Sequence, residues 1–189
     1  MRGNIKRHAR IIGLMGVAGA GKDTVGEMLQ RGLLNTAHLD SFAAPLYAGL
    51  SGILGVPLHD LYERDTKEKP IKGIGVSPRK MLQTLGTEWG RDLINADLWA
   101  ILALQRHNQR AQGVTILTDV RFENEVSMIK SNGGVLVNII RPGTTPVEEH
   151  RSETLDRRAV ADITLMNRGT LDMLANRVAD IIEQGAFSQ

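Results

Sequence analysis

The segment Gly16-Val17-Ala18-Gly19-Ala20-Gly21-Lys22-Asp23-Thr24 constrains this chain more than any other stretch of its sequence. Ahead of it, Ile11-Ile12-Gly13-Leu14-Met15 is an apolar, branched run with the length of a buried strand. Behind it, Val25, Met28, Leu29 and Leu33 recur at helical spacing. A strand, a glycine-rich turn and a helix opening at Lys22 form the setting of a phosphate-binding nest. The three glycines let the backbone curl until successive N–H groups point into one concavity. The positive end of the helix faces the same point, and Lys22 adds a full charge there. Such a nest suits the β- and γ-phosphates of a nucleoside triphosphate.

The strict pattern, GxxxxGK followed by Ser or Thr, expects a hydroxyl directly after the lysine to ligate Mg²⁺. Here Asp23 holds that position and Thr24 brings a hydroxyl one residue late. A carboxylate also suits Mg²⁺, which prefers oxygen ligands and keeps several waters. Gly19, Ala20, Gly21, Lys22, Asp23 and Thr24 are therefore candidates for the triphosphate, and Asp23 and Thr24 for the metal. The plain alternative is a glycine-rich turn with a solvated lysine, which the flanking strand and helix disfavour.

With 189 residues and 42% hydrophobic content, the chain is expected to be one globular domain with a sizeable core. It carries no apolar stretch of membrane-spanning length, and its basic first ten residues read as a solvated tail without a cleavable signal pattern. The absence of cysteine excludes disulfides, cysteine nucleophiles and cysteine-based zinc sites. A formal charge of +2 does not indicate a broad face for a nucleic acid polymer.

Strands and helices alternate along the chain. Strand candidates are 11–15, 37–39, 114–118, 135–140 and 161–166, with helices opening at Lys22, Pro45, Pro78 and Asp97, one between the third and fourth strands, and a last one through 171–182. The stretch 55–77 reads as irregular. Alternation of this kind predicts a parallel sheet covered on both faces, with ligands at the carboxyl ends of the strands.

On the helix from Pro78 to about Ile94, Leu82, Leu85, Trp89 and Leu93 fall on one stripe at 100° per residue, which predicts a core face. Arg79, Gln83, Gly86, Thr87 and Gly90 form a second stripe, with Arg91 at its edge. Two glycines inside a helix cost about 1 kcal/mol each against alanine, so something is expected to lie close against them. A nucleotide is one candidate and close packing of another helix is the other. After the third strand comes Thr118-Asp119-Val120-Arg121-Phe122-Glu123-Asn124-Glu125. An acid at a strand end near a phosphate loop usually serves Mg²⁺ and its waters. Arg121 and Glu125, one turn apart, are expected to face a ligand, with a surface ion pair as the alternative.

These residues resemble the phage-type deoxynucleoside monophosphate kinases, in the adenylate-kinase-like branch of P-loop proteins. The resemblance is carried by Gly21-Lys22-Asp23-Thr24, Ser41-Phe42-Ala43-Ala44-Pro45-Leu46, the block Arg79 to Arg91, Trp99, Asp119 to Glu125, and His150-Arg151-Ser152-Glu153. It implies a three-layer α/β/α P-loop fold with a five-stranded parallel sheet in a single domain over 1–189. A helical acceptor-binding insert is expected at about 40–112 and a lid at about 141–160. It implies transfer of the γ-phosphoryl of ATP to a deoxynucleotide with Mg²⁺, in the cytoplasm, a host's if the chain is phage-encoded.

On this resemblance Lys22, Asp23, Asp119 and Arg151 are the catalytic candidates, with Arg157 or Arg158 in reserve. Ser41, Arg79, Gln83, Gly86, Thr87, Arg91, Arg121 and Glu125 would line the acceptor site, and Asn167 would border the ATP base. Position 47, where relatives often carry lysine, is tyrosine here. Two rivals keep the loop: a kinase of another phosphorylated acceptor, such as dephospho-coenzyme A or phosphomevalonate, and a non-catalytic nucleotide-binding regulatory module. Base preference, deoxy against ribo discrimination and homodimer formation stay open.

Overall fold

The structure, a computed structural model, describes residues 10–33, 37–110, 112–144 and 155–187. The elements are β1 (Ile11–Met15), α1 (Lys22–Gly32), β2 (Ala37–Asp40), α2 (Ala44–Leu54), α3 (Arg64–Glu68), α4 (Pro78–Thr84), α5 (Leu98–Gln109), β3 (Val114–Leu117), α6 (Glu123–Ser131), β4 (Val135–Ile140), α7 (Arg157–Val160), β5 (Ile163–Met166) and α8 (Leu171–Glu183). The chain divides into two compact units, one made of residues 1–41 and 104–189 and the other of 42–103.

In the first unit the five strands form one parallel sheet in the order β2-β3-β1-β4-β5. Every residue of β1 is buried, because a central parallel strand is covered on both faces. Ile12 and Leu14 join Val25 and Leu29 of α1 and Leu174 and Val178 of α8 in one apolar cluster. On the other face, a Cβ at Gly13 would meet Ile129 of α6 at 2.6 Å, so the glycine lets α6 lie close to the sheet. The result is the expected three-layer α/β/α arrangement. Among the described residues, no helix is long and apolar enough to cross a membrane.

At the end of β2 a charged cluster is built into the first unit. Asp40 accepts from Arg106 Nε and Nη2, both at 3.1 Å, and from Arg110 Nη2 at 2.9 Å. Burial alone would raise this carboxyl. The bonds from Arg106, Arg110 and the Ser41 amide outweigh burial and hold the carboxyl below its ordinary value.

The second unit packs Leu50, Leu61 and Leu82 into its own small core. The stretch expected to be irregular contains a 3-10 turn at Leu58–Leu61 and the short α3. The larger difference lies after α4. From Leu85 to Ile94 the helix continues as a π-helix, and beyond it Asn95 N–H donates to Gly90 O, five residues back, at 3.0 Å. The wider turn advances less than about 100° per residue, so a stripe drawn with the α period drifts off its face. Leu82 stays buried, but Trp89 is 46% and Leu93 76% exposed, so the predicted core stripe ends at Leu85. Gly90 turns inward in their place. A Cβ there would collide with the indole of Trp99, whose Nε1–H donates to Gly86 O at 2.8 Å. Gly90 therefore serves packing, the second of the two readings its sequence position allowed.

Candidate active site

The glycine loop is built by close backbone approach. A Cβ at Gly16 would stand 2.7 Å from Ile139 O of the neighbouring strand, and Gly21 adopts φ +95° at the cap of α1. Asn167, just after β5, donates through Nδ2 to Ala20 O at 2.8 Å, so it braces the loop from behind. Lys22 folds over the loop and donates to Gly16 O at 2.9 Å and Val17 O at 3.1 Å.

Burial pushes the Lys22 ammonium below the ordinary lysine range. The cations of Arg121 and Arg157 push it the same way, while Asp23 and Asp119 oppose them. These influences fade with distance, so the structure brings Lys22, Asp23, Asp119, Arg121 and Arg157 into one electrostatic neighbourhood. Asp23 stands exposed in the first turn of α1, and Thr24 is half-buried.

The Asp119 turn has a specific brace. Glu125 is buried, and its Oε2 accepts from the main-chain N–H groups of Arg121 at 2.7 Å and Phe122 at 3.1 Å. At the third position of α6 this carboxylate also sits at the positive helix end. The sequence reading assigned Glu125 to a ligand edge. The structure commits one of its oxygens to shaping the loop that carries Asp119 and Arg121.

Two clefts of the first unit meet at Arg141, directly after β4. One, about 380 Å³, is lined by Gly21, Thr24, Arg141, Asn167, Thr170 and Leu171. The other, about 320 Å³, is lined by Gly16, Val17, Asn138, Arg141, Arg157 and Arg158. Arg141 also donates to Gly19 O at 3.4 Å. It was not among the candidates read from the sequence. An arginine immediately after a parallel strand is the signal that would have found it, by the logic that singled out Asp119.

Ser41 belongs to the Asp40 cluster: its N–H donates to Asp40 Oδ1 at 2.7 Å and its carbonyl accepts from Arg106 at 2.8 Å. In the second unit Arg79 pairs with Glu68 of α3 at 2.5 Å, and Arg91 donates to Ala96 O at 3.2 Å. Gln83, Gly86 and Thr87 are half-buried on α4 and its π-helical continuation. Arg151 lies outside the described residues, as does half of the expected lid, residues 145–154.

A family model for deoxynucleotide monophosphate kinase matches residues 64–178, more than half of the chain. The chain belongs to this family. Among deoxynucleotide monophosphate kinases, a protein of Acanthamoeba polyphaga mimivirus, provisionally so named, is 31% identical over 93% of this chain and 97% of its own. The deoxynucleoside-5'-monophosphate kinase of Escherichia phage T5 is 26% identical over 74% of this chain and 79% of its own. The shikimate kinase of Acinetobacter baumannii, solved with shikimate, shares the fold at TM-score 0.51 and 18% identity, over 93% of this chain and 94% of that one. The family match begins at α3 and so spans the Arg79 stripe, the Asp119 turn and the two arginines of α7, Arg157 and Arg158.

Proposed function

We propose that this deoxynucleotide monophosphate kinase transfers the γ-phosphoryl group of ATP to the 5′-phosphate of a deoxynucleoside monophosphate, giving the two diphosphates. The observation that carries the reading is the gathering of Lys22, Arg121 and Arg157 with Asp23 and Asp119 at a glycine nest. Three cations suit the charge that spreads over the equatorial oxygens as the phosphoryl group passes between two phosphates. The acceptor is already an anion near neutral pH, so no general base is required.

In this reading the ATP phosphates lie against the amides of 19–22 and under Lys22. The base end of ATP takes the cleft of Thr24, Asn167 and Thr170. The donor set fits Mg²⁺: Asp23 and Asp119 are hard oxygen ligands near a phosphate site, and the ion keeps its remaining waters. When bound, Mg²⁺ would neutralise charge on the transferred group, with Asp23 and Thr24 its nearest holders on α1. For the acceptor nucleotide the candidates are Arg79, Gln83, Gly86, Thr87 and Arg91 in the second unit, and Ser41 and Arg121 in the first. Arg151, Arg157 and Arg158 supply lid charge, and closure over both substrates would keep water from the γ-phosphate.

The test is a panel of all deoxy- and ribonucleoside monophosphates with ATP and Mg²⁺, separated by anion-exchange chromatography. Equal amounts of ADP and a deoxynucleoside diphosphate are expected. A protein that forms no diphosphate from any member of the panel, or that only hydrolyses ATP, overturns the reading.

A further inference from the structure

We propose that Arg177 of α8 is a positioning residue of the donor site, acting through Asn167 on the phosphate loop. The proposal rests on the glycine nest being the seat of ATP, as argued above, and adds a residue behind the nest that sets its shape. Arg177 Nη1 donates to Arg168 O at 2.7 Å and to Met166 O at 3.4 Å. These two carbonyls flank Asn167, so one guanidinium holds the chain on either side of that residue. The Asn167 N–H donates in turn to Ile140 O at 2.8 Å, which ties the turn to β4.

The relay ends on a peptide of the loop itself. Asn167 Nδ2 donates to Ala20 O at 2.8 Å, and a Cβ at Gly21 would stand 2.5 Å from the same nitrogen. Amide and loop are therefore in direct contact, and a shift of Asn167 is felt at Ala20 and Gly21. A trans peptide is planar and sets its carbonyl and its N–H in opposite directions. Holding Ala20 O toward Asn167 thus turns the Gly21 N–H the other way. The direction of such N–H groups is what a phosphate oxygen reads in a glycine nest.

The residue type at 177 fits positioning better than packing. Leu174 and Val178, on either side of it in α8, join Val25 and Leu29 of α1 in the core. Arg177 itself is half-buried. An aliphatic side chain would serve packing there, whereas a planar guanidinium reaches two carbonyls from one rigid end. The core fixes α8 against α1, so the guanidinium is held in register with the helix that opens at Lys22. The turn after β5 takes its place from two rigid elements, β4 and α8.

A double-mutant cycle with Arg177→Met and Asn167→Ala tests the proposal, read by steady-state kinetics with dGMP as acceptor. Arg177→Met is expected to raise the KM for ATP about tenfold, the size of one lost hydrogen bond to a charged group. The KM for dGMP should not follow it. Asn167→Ala removes the middle of the relay and should raise the KM for ATP as well. Adding Arg177→Met to Asn167→Ala should then change that constant by less than about twofold, because residues of one hydrogen-bond network do not add. Arg177→Lys keeps a cation for one carbonyl and should raise the ATP constant less than Arg177→Met does.

An unchanged KM for ATP in Arg177→Met overturns the proposal, and so does an equal rise in the ATP and dGMP constants. An Arg177→Met effect of the same size with and without Asn167 also overturns it, since a merely structural arginine would act independently of that amide. If Arg177→Met does not fold, the cycle is run with Arg177→Lys, where an unchanged ATP constant or full additivity overturns the relay. A parent protein that phosphorylates no nucleotide fails differently, since it removes the reading beneath the proposal before any variant is compared.

Discussion

Glu125 Oε2 holds the main-chain N–H of Arg121 at 2.7 Å, and through it the turn that follows Asp119. The same oxygen takes the Phe122 N–H, so one buried carboxylate satisfies two amides at the start of α6. Glu125→Ala would leave both amides without this acceptor, at about 1–3 kcal/mol each. A loss of about 2–4 kcal/mol in urea unfolding is expected, with turnover reduced because Asp119 and Arg121 lose their support. Glu125→Gln retains an oxygen acceptor and should lose less than half as much. A Glu125→Ala protein of parental stability would return the side chain to a pure ligand role.

Lys22 makes the opposite prediction, because it is a site charge held at a cost. Burial and the nearby guanidinium groups lower its pKa, so the fold gains little from the charge itself. Lys22→Met should reduce turnover by about a hundredfold or more, as for loss of a fixed donor to the transition state. Its melting temperature should not fall. A fall of several degrees would show that its bonds to Gly16 and Val17 hold the loop together.

Asp23 and Thr24 are adjacent, but only Thr24 lines the cleft shared with Asn167. Asp23→Asn should therefore move the Mg²⁺ activation curve to higher concentration by about tenfold, as for loss of a metal-site partner, with the acceptor KM little changed. Thr24→Ala should raise the KM for ATP and move the Mg²⁺ curve less than Asp23→Asn does, since a carboxylate is the stronger partner for the ion. Identical Mg²⁺ titrations for Asp23→Asn and the parent would transfer the metal role to Thr24 or Asp119.

The cluster at the end of β2 gives a pH dependence. The Asp40 carboxyl titrates below its ordinary value. The unfolded chain binds its proton near pH 3.9 or so. The stability it contributes is therefore complete above that pH and is lost as pH falls through the lower folded value. Thermal melts from pH 6 to pH 3 should show this acid loss in the parent and a shallower one in Asp40→Asn. At pH 7 the variant should be destabilised by about 3 kcal/mol, the low end for a broken buried pair, since Arg106 and Arg110 keep some access to water.

The phosphate loop and the parallel sheet were legible because both rest on local pattern. Glycine spacing fixes the loop, and alternating apolar runs and helices fix the strand count. What was not legible depends on distance or on a changed period. Asp40 meets arginines 66 and 70 residues further along, which no local window connects. Glu125 caps a helix behind Phe122, where the usual serine or threonine of a capping box is missing, so the signature was hidden. Trp89 and Leu93 were placed in the core by an α-helical period that the chain abandons at Leu85.

The two glycines of that helix now separate by environment, and the difference can be measured. Gly90 lies against Trp99 so closely that a methyl group would displace the indole, which Gly86 O holds by a hydrogen bond. Gly90→Ala should therefore destabilise the protein by about 1–3 kcal/mol, the cost of overpacking a filled site. At Gly86 a Cβ would meet only the tip of Leu46, at 3.2 Å, and a leucine methyl can give way. Gly86→Ala should cost little stability, or gain some from helix propensity. If the acceptor nucleotide lies against this stripe, Gly86→Val should raise the deoxynucleotide KM at least about tenfold, because the larger side chain occupies the ligand's place. The KM for ATP should not follow it. Urea unfolding and two-substrate kinetics on the same preparations decide the matter. A folded Gly86→Val protein with both constants unchanged would make the whole stripe a packing surface, and the acceptor site would have to be sought on other residues.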